Sequence, residues 1–310
     1  MSSFKYLSEI SENELKKLIQ SIDTVFFDVD GVLTLSTTPI PGAKECVAKL
    51  RKLGKRIGFV TNNTFSSVEL LMKTLDHCEP KEDEINTPNT VVVSFLKDIN
   101  FNKDIYLIGS TLLRSMLIEA GFSVVRFEDL NNELKGENYG HLLELIEETV
   151  ASCKNVGAMV LCFDFNFNHL ASQIATSILQ HYPDVLLLSG LTDDIGPLTK
   201  KFTAVGSKYY IDGIQRWTNR QCIQMAKPGL AFKDVLISKY GITDPSRVLF
   251  IGDNLASDIA FAKNGPFKTI LVLSGVTSKS DVENPELSDD KKPDYVADSL
   301  AELYKRIAQY

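Results

Sequence analysis

Residues 24–35 read TVFFDVDGVLTL. Thr24-Val25-Phe26-Phe27 is uncharged, β-branched and aromatic, the composition of a buried strand. Asp28 and Asp30 follow with only Val29 between them. Side chains alternate along an extended chain, so the two aspartates leave the strand on the same side. Gly31 then permits a sharp departure. Two carboxylates crowded at a strand end repel one another unless a positive group sits with them. A polar turn after a core strand would use the same residue types, so the rest of the chain has to decide.

Composition narrows the choice. The 310 residues are 44% hydrophobic and 24% charged, which describes a globular protein with room for one large domain or two ordinary ones. A net charge of −7 and the lack of a basic stripe argue against nucleic acid as a partner. Cysteines 46, 78, 153, 162 and 222 contain no CxxC pair and are odd in number, as expected of reduced thiols in a cytoplasmic protein. Histidines 77, 141, 169 and 181 lack zinc-ligand spacing. No apolar signal core or membrane-length run is present, so no membrane association is expected.

Outward from Asp28 the pattern is strand, helix, strand, helix. Ser11 caps a helix expected over 12–22, and Ala43–Leu53 is helical with Gly54 behind it. Arg56–Val60 is a strand ending in Thr61-Asn62-Asn63, and Ser67–Leu75 is helical. The alternation returns with a helix over Phe232–Tyr240 and the strand Arg247–Ile251, which ends in Gly252-Asp253-Asn254. A helix over Ser257–Lys263, the strand Lys268–Leu273, Tyr295-Val296 and a helix over Ser299–Ile307 complete it. This is the signature of a parallel sheet. Between the two halves, strands are expected at Ile105–Ile108, Ser123–Phe127, Ala158–Cys162 and Val185–Leu188, enough for an α/β domain of its own. Asp281–Pro293 reads as a charged surface loop.

The polar groups converge. Asp28, Thr61 and Asp253 each stand just past the C-terminal end of an expected parallel strand, where open α/β sheets bind their ligands. Lys227-Pro228-Gly229 can bring a positive charge to the same crevice. In this order the residues resemble the motifs of the haloacid dehalogenase-like phosphatases. Asp28-Val29-Asp30-Gly31-Val32-Leu33-Thr34 is similar to the first motif, Thr61 with Asn62-Asn63 to the second, Lys227-Pro228 to the third, and Gly252-Asp253-Asn254 with Asp258 to the fourth. Ile40-Pro41-Gly42-Ala43, Tyr240-Gly241-Ile242 and Leu273-Ser274-Gly275-Val276-Thr277 resemble the 4-nitrophenylphosphatase and phosphoglycolate/pyridoxal phosphatase branch.

The resemblance implies a Rossmann-like, doubly wound parallel sheet with an α/β cap inserted after the second motif. One crossover helix fills the interval from Asp28 to Thr61, whereas the interval from Thr61 to Lys227 is far longer than a crossover needs. The expected division is a discontinuous core over 1–100 and 219–310 and a cap over 101–218. The resemblance also implies roles. Asp28 is the nucleophile, Asp30 the general acid and base, and Thr61, Asn62, Asn63 and Lys227 bind the substrate phosphate. Asp28, Asp253 and the Asp30 carbonyl bind Mg²⁺. Asp258 is either plain charge at a helix N-terminus or a partner of the metal or lysine, and Asn254 either supports the site or is a loop residue. The substrate implied is a small phosphorylated metabolite, and a homodimer through the cap is implied with it.

Three functions compete: a phosphatase of small phosphomonoesters, a phosphotransferase, and a binding protein with a silenced site. Phosphotransferases of this kind carry their cap between the first two motifs, which the spacing here excludes. A silenced site has no reason to keep Asp28, Asp30, Thr61, Lys227 and Asp253 together. A protein-phosphotyrosine substrate is a further variant, disfavoured by a capped site. The recognition segments have drifted. Cys162 stands where the branch has glycine before Phe163-Asp164, and Asp164 reads as structural. Gly196 stands where pyridoxal phosphatases have histidine, and Gly206-Ser207-Lys208 replaces the GTG usual in phosphoglycolate phosphatases.

Overall fold

Alternation along Thr24–Phe27 defines the two faces of a sheet, and all four residues are buried because both faces are covered. The computed structural model describes residues 4–130, 138–191, 194–197 and 202–310. Val25 and Phe27 join Ile57, Phe59, Leu249, Ile251, Ile270 and Val272 on one face. Helices Glu12–Ser21, Ala43–Lys52, Val68–Thr74 and Leu300–Ile307 cover that face with their buried stripes. Phe26 points the other way and meets Tyr240 edge to face, with ring centroids 4.9 Å apart. On this aromatic side Phe261 of the Ala260–Asn264 helix contacts Phe250 and, from the Leu230–Lys239 helix, Phe232.

Local signals explain the helix ends. The Ser11 side chain accepts from Glu14 N at 3.2 Å and Ser67 from Leu70 N at 3.1 Å. Gly54, at φ +76°, follows the helix Ala43–Lys52 in the left-handed region.

The seven strands of this sheet are all parallel. Their spatial order is Lys5–Tyr6, Tyr295–Ala297, Lys268–Val272, Val248–Gly252, Thr24–Phe27, Arg56–Val60, Ile85–Asn86. From Thr24–Phe27 the chain steps outward to one edge, leaves, and re-enters at Val248–Gly252 to step outward to the other. The reversal therefore falls between the strands that end at Phe27 and Gly252, the position where an open α/β sheet leaves a crevice.

A second unit has its own five parallel strands, in the order Ile223–Gln224, Leu186–Ser189, Val156–Leu161, Asp104–Ile108, Val124–Arg126. Tyr106, Met159, Leu161 and Leu187 pack with Ile174 and Ile178 of the helix His169–His181 and Ile211 and Ile214 of Lys208–Thr218. The first unit comprises Met1–Thr87 and Lys227–Tyr310, the second Pro88–Ala226. These limits differ from the expected 100/101 and 218/219. The helix Pro88–Asp98 packs against Thr111–Glu119, and the edge strand Ile223–Gln224 bonds to Leu186–Ser189, so both belong to the second unit.

Two smaller expectations are also corrected. The stretch 281–293 contains the last residues of a short helix, Lys279–Val282, capped by Ser278, and a 3-10 turn over Asp289–Lys291. Ser257–Lys263 opens as a π-helix over Leu255–Ile259 and becomes α-helical only from Ala260. Among the described residues no helix is long and apolar enough to cross a membrane. Of the drifted recognition loop, Thr192, Asp193 and Leu198 lie outside the described residues.

Candidate active site

Asp28 leaves its strand with its N–H bonded to Ile251 O at 2.8 Å, so its side chain emerges beside the neighbouring strand that ends at Gly252. Lys227 meets it there. The Lys227 ammonium donates to Asp28 Oδ1 at 2.5 Å, Asp258 Oδ1 at 2.7 Å and the Val60 carbonyl at 2.9 Å, which uses all three of its protons. Asp258 turns its other oxygen to the N–H groups of Asp253 and Asn254, both at 3.1 Å. Asp258 lies in the π-helix Leu255–Ile259, whose wide turn is closed by Ile259 N bonding to Asn254 O at 3.1 Å. Asp28, Asp253, Asp258 and Lys227 are all buried.

Glycines let Asp253 into this space. Gly31 has φ +82°, and a Cβ on it would overlap the Asp253 carboxylate. A Cβ on Gly275 would overlap the same carboxylate, which instead accepts from Val276 N at 2.7 Å. Ser274 fastens the two loops together by donating to Gly31 O at 2.7 Å. Gly31 and the segment 273–277 stand out in the sequence as a turn and a branch motif, but their contact with Asp253 does not. Their signal is the Ser274-Gly275 pair immediately after a strand end.

Charge is unbalanced in the cluster. Burial lifts the Asp28 carboxyl well above the usual carboxylate range; Asp258 and Asp253 add to the shift, and Lys227 opposes it. Burial first and Asp258 second push Asp253 up to about 6. For Lys227, burial alone would favour the neutral amine, but Asp258 and Asp28 outweigh it and hold the ammonium above its ordinary range. Three carboxylates against one ammonium leave two negative charges, and one oxygen from each carboxylate lies within 4.8 Å of the others. That is the charge and donor chemistry of a hard divalent cation. Both oxygens of Asp258 are committed to the lysine and the two N–H groups, so Asp28 and Asp253 are the carboxylates free to serve it.

Asp30 stands apart. It is exposed, takes no hydrogen bond on its carboxylate from the described residues, and its carboxyl is raised by loss of hydration, with Lys227 pulling the other way. Thr61 is buried, and its hydroxyl oxygen accepts from Asn63 N at 3.0 Å, which leaves its own proton to give. Asn63 turns its side-chain oxygen inward on Phe65 N and Ser66 N, both at 2.9 Å, and so shapes the loop. Asn62 bonds through its side chain to the Lys227 backbone. Asn254 caps the helical turn by accepting from Ala256 N at 2.8 Å and Ser257 N at 3.2 Å. In the second unit Asp164 pairs with Arg126 at 3.3 Å and accepts from Asn166 N at 2.8 Å, a structural use.

Comparison with known proteins agrees with this arrangement. Residues 25–123 match the family described as haloacid dehalogenase-like hydrolase, and residues 224–303 match a second HAD-hydrolase-like description. The chain is 32% identical over 291 residues to phosphoglycolate phosphatase 1A of Arabidopsis thaliana, covering 93% of this chain and 78% of that protein. It is 30% identical over 310 residues to glycerol-3-phosphate phosphatase of Rattus norvegicus, covering 95% and 94%. The solved p-nitrophenyl phosphatase of Archaeoglobus fulgidus superposes with a TM-score of 0.73 at 25% identity, over 92% of this chain and 98% of that one. The chain belongs to the haloacid dehalogenase-like hydrolases. Its relatives are phosphatases by name, and its enzyme class is theirs, a phosphoric monoester hydrolase.

Proposed function

We propose that this protein is a Mg²⁺-dependent phosphatase of small phosphomonoesters that works through an aspartyl phosphate on Asp28. The observation that carries the reading is the buried cluster in which Lys227 bridges Asp28 and Asp258 beside Asp253, at the reversal point of the sheet.

Uncatalysed hydrolysis of a phosphate monoester is among the slowest of reactions, and a covalent intermediate splits it into two easier steps. Asp28 attacks phosphorus, and the alcohol leaves with a proton from Asp30, whose raised carboxyl supports the acid role. Asp30 then takes a proton from the water that attacks the phosphoryl group, and inorganic phosphate departs with Asp28 restored. The Thr61 hydroxyl and the Asn62 backbone N–H hold the phosphate oxygens, and Lys227 offsets charge on Asp28 and on the phosphate. Asn63 supports this loop from within. Mg²⁺ held by Asp28, Asp253 and the Asp30 carbonyl would supply the positive charge that lets a carboxylate approach a phosphate dianion. Asp258 orients the lysine.

The substrate class is that of the relatives' names: phosphoglycolate, glycerol 3-phosphate and 4-nitrophenyl phosphate. A homodimer through the second unit is part of the proposal. Tyr209 and Trp217, both on the helix Lys208–Thr218, expose 58% and 49% of their surface, a density of apolar area that favours a partner. The five free thiols support a reducing compartment, the cytoplasm.

The test is turnover of 4-nitrophenyl phosphate, phosphoglycolate and glycerol 3-phosphate with Mg²⁺ and with EDTA. Hydrolysis of at least one that EDTA removes and Mg²⁺ restores is the expected result. Folded protein inactive on all three in every divalent metal would return the weight to a binding protein.

A further inference from the structure

Asn62 sits in the loop expected to hold phosphate, yet its side chain faces another chain segment. Its Oδ1 accepts from Lys227 N at 2.8 Å, and its Nδ2 donates to Lys227 O at 3.0 Å. One amide side chain thus satisfies both backbone groups of a single residue far away in sequence, as a neighbouring strand would. Lys227 is the first residue of the first unit after the chain returns from Pro88–Ala226. Its long side chain has several rotatable bonds, and its ammonium must still reach Asp28, Asp258 and Val60 O together. We propose that the Asn62 side chain is a positioning residue that sets the register of the returning segment and thereby places the Lys227 ammonium against Asp28.

Chemistry limits the role to asparagine. Aspartate keeps the acceptor for Lys227 N but loses the donor for Lys227 O, and glutamine carries the same two groups a methylene too far out. With Oδ1 and one Nδ2 proton engaged by Lys227, the side chain is held on that residue and the backbone N–H is the group proposed to reach the phosphate. Asn62→Ala and Asn62→Asp both leave that N–H in place, so the side-chain contribution is read apart from it.

The inference rests on the phosphatase reading for its kinetic consequence but not for its structural one, and the experiment reads both. Wild type, Asn62→Ala and Asn62→Asp are pulse-labelled with an amine-acetylating reagent in the presence of Mg²⁺, and modification of each lysine is quantified by mass spectrometry. Lys227 is expected to be protected in the wild type and to gain roughly ten-fold in labelling in Asn62→Ala, with a smaller gain in Asn62→Asp. Lys239, whose ammonium donates to Asn86 at 2.7 Å, reports on general loosening, the exposed Lys16 and Lys52 report on the reagent, and all three are expected to keep their wild-type rates. In the same proteins kcat on 4-nitrophenyl phosphate should fall about 10- to 100-fold in Asn62→Ala, with KM changed by less than about three-fold, the signature of a misplaced catalytic group. In a Lys227→Met background the Asn62→Ala change should cost little further turnover.

Lys227 that stays protected in Asn62→Ala overturns the proposal. So does a raised KM at unchanged kcat, or a loss that multiplies in full on top of Lys227→Met. Wild-type protein without phosphatase turnover would overturn the functional reading instead, while the labelling ratio would still decide the clamp.

Discussion

Asp28 and Asp30 are two residues apart and chemically unlike. Asp28 is buried and bonded to Lys227, whereas Asp30 is exposed and its carboxylate takes no hydrogen bond from the described residues. The difference supports the proposed division of labour, attack by Asp28 and proton transfer by Asp30. Asp30→Asn should therefore slow glycerol 3-phosphate hydrolysis by at least ~10². The effect on 4-nitrophenyl phosphate, whose leaving phenolate needs no proton, should be several-fold smaller. The ratio of the two kcat losses checks this, and equal losses would contradict it.

Protonation of Asp253 supplies a second prediction. Its carboxyl lies at about 6 in the folded protein without metal, above the roughly 4 of an unfolded aspartate. A raised folded value means that this group's stabilising contribution is present below about pH 4 and is lost as pH rises through 6. Cation binding needs the ionised form and gains over the same interval. Thermal unfolding at pH 5 and pH 7.5, with EDTA and with Mg²⁺, should show the larger Mg²⁺ shift at pH 7.5. Equal shifts would contradict the metal assignment.

At this scale the sequence displayed Asp28, Thr61 and Asp253, because each follows a strand end that one crevice can gather, and Lys227 as a charge that could join them. It did not display the Asn62 contact, which joins residues far apart, nor the Val276 N–H on Asp253, which is a backbone group. Asn63 was expected to bind the phosphate and Asn254 either to support the site or to be a loop residue; the side chains of both shape loops.

At the scale of elements, the glycines around Asp253 make a specific claim. Gly275→Ala would drive a Cβ into that carboxylate, with backbone loops on both sides to resist relaxation. Overpacking of this kind costs about 1–3 kcal/mol, and here it should also weaken Mg²⁺ binding several-fold, read by titration of the thermal shift. A stability loss with unchanged Mg²⁺ affinity would separate Gly275 from the metal site. The long strands and capped helices were legible because their periodicity and caps agree. The strand Ile85–Asn86 is only two residues, too short for any period. The helix Pro88–Asp98 carries the β-branched run Thr90-Val91-Val92-Val93, which reads equally as strand. The π-turn accompanies a long-range use of Asp258 at the strand end, which no local propensity announces.

For the whole molecule, each unit buries its own core, and the candidate metal ligands all lie in the first. Calorimetry in EDTA and in Mg²⁺ should therefore raise the unfolding of the first unit and leave that of the second near its original temperature. A shift confined to the second unit would contradict the placement of the site. The insertion itself was legible from the interval between Thr61 and Lys227. Its limits were not, because the helix Pro88–Asp98 and the strand Ile223–Gln224 reveal their allegiance only through partners elsewhere in the second unit.

The central claim is that the phosphoryl group passes through Asp28, and rapid acid quench during 4-nitrophenyl phosphate turnover, followed by peptide mass spectrometry, tests it directly. The account predicts a phosphorylated peptide with the modification on Asp28, absent in Asp28→Asn along with turnover. Turnover that persists in Asp28→Asn, or a phosphoryl group trapped on another residue, would contradict it.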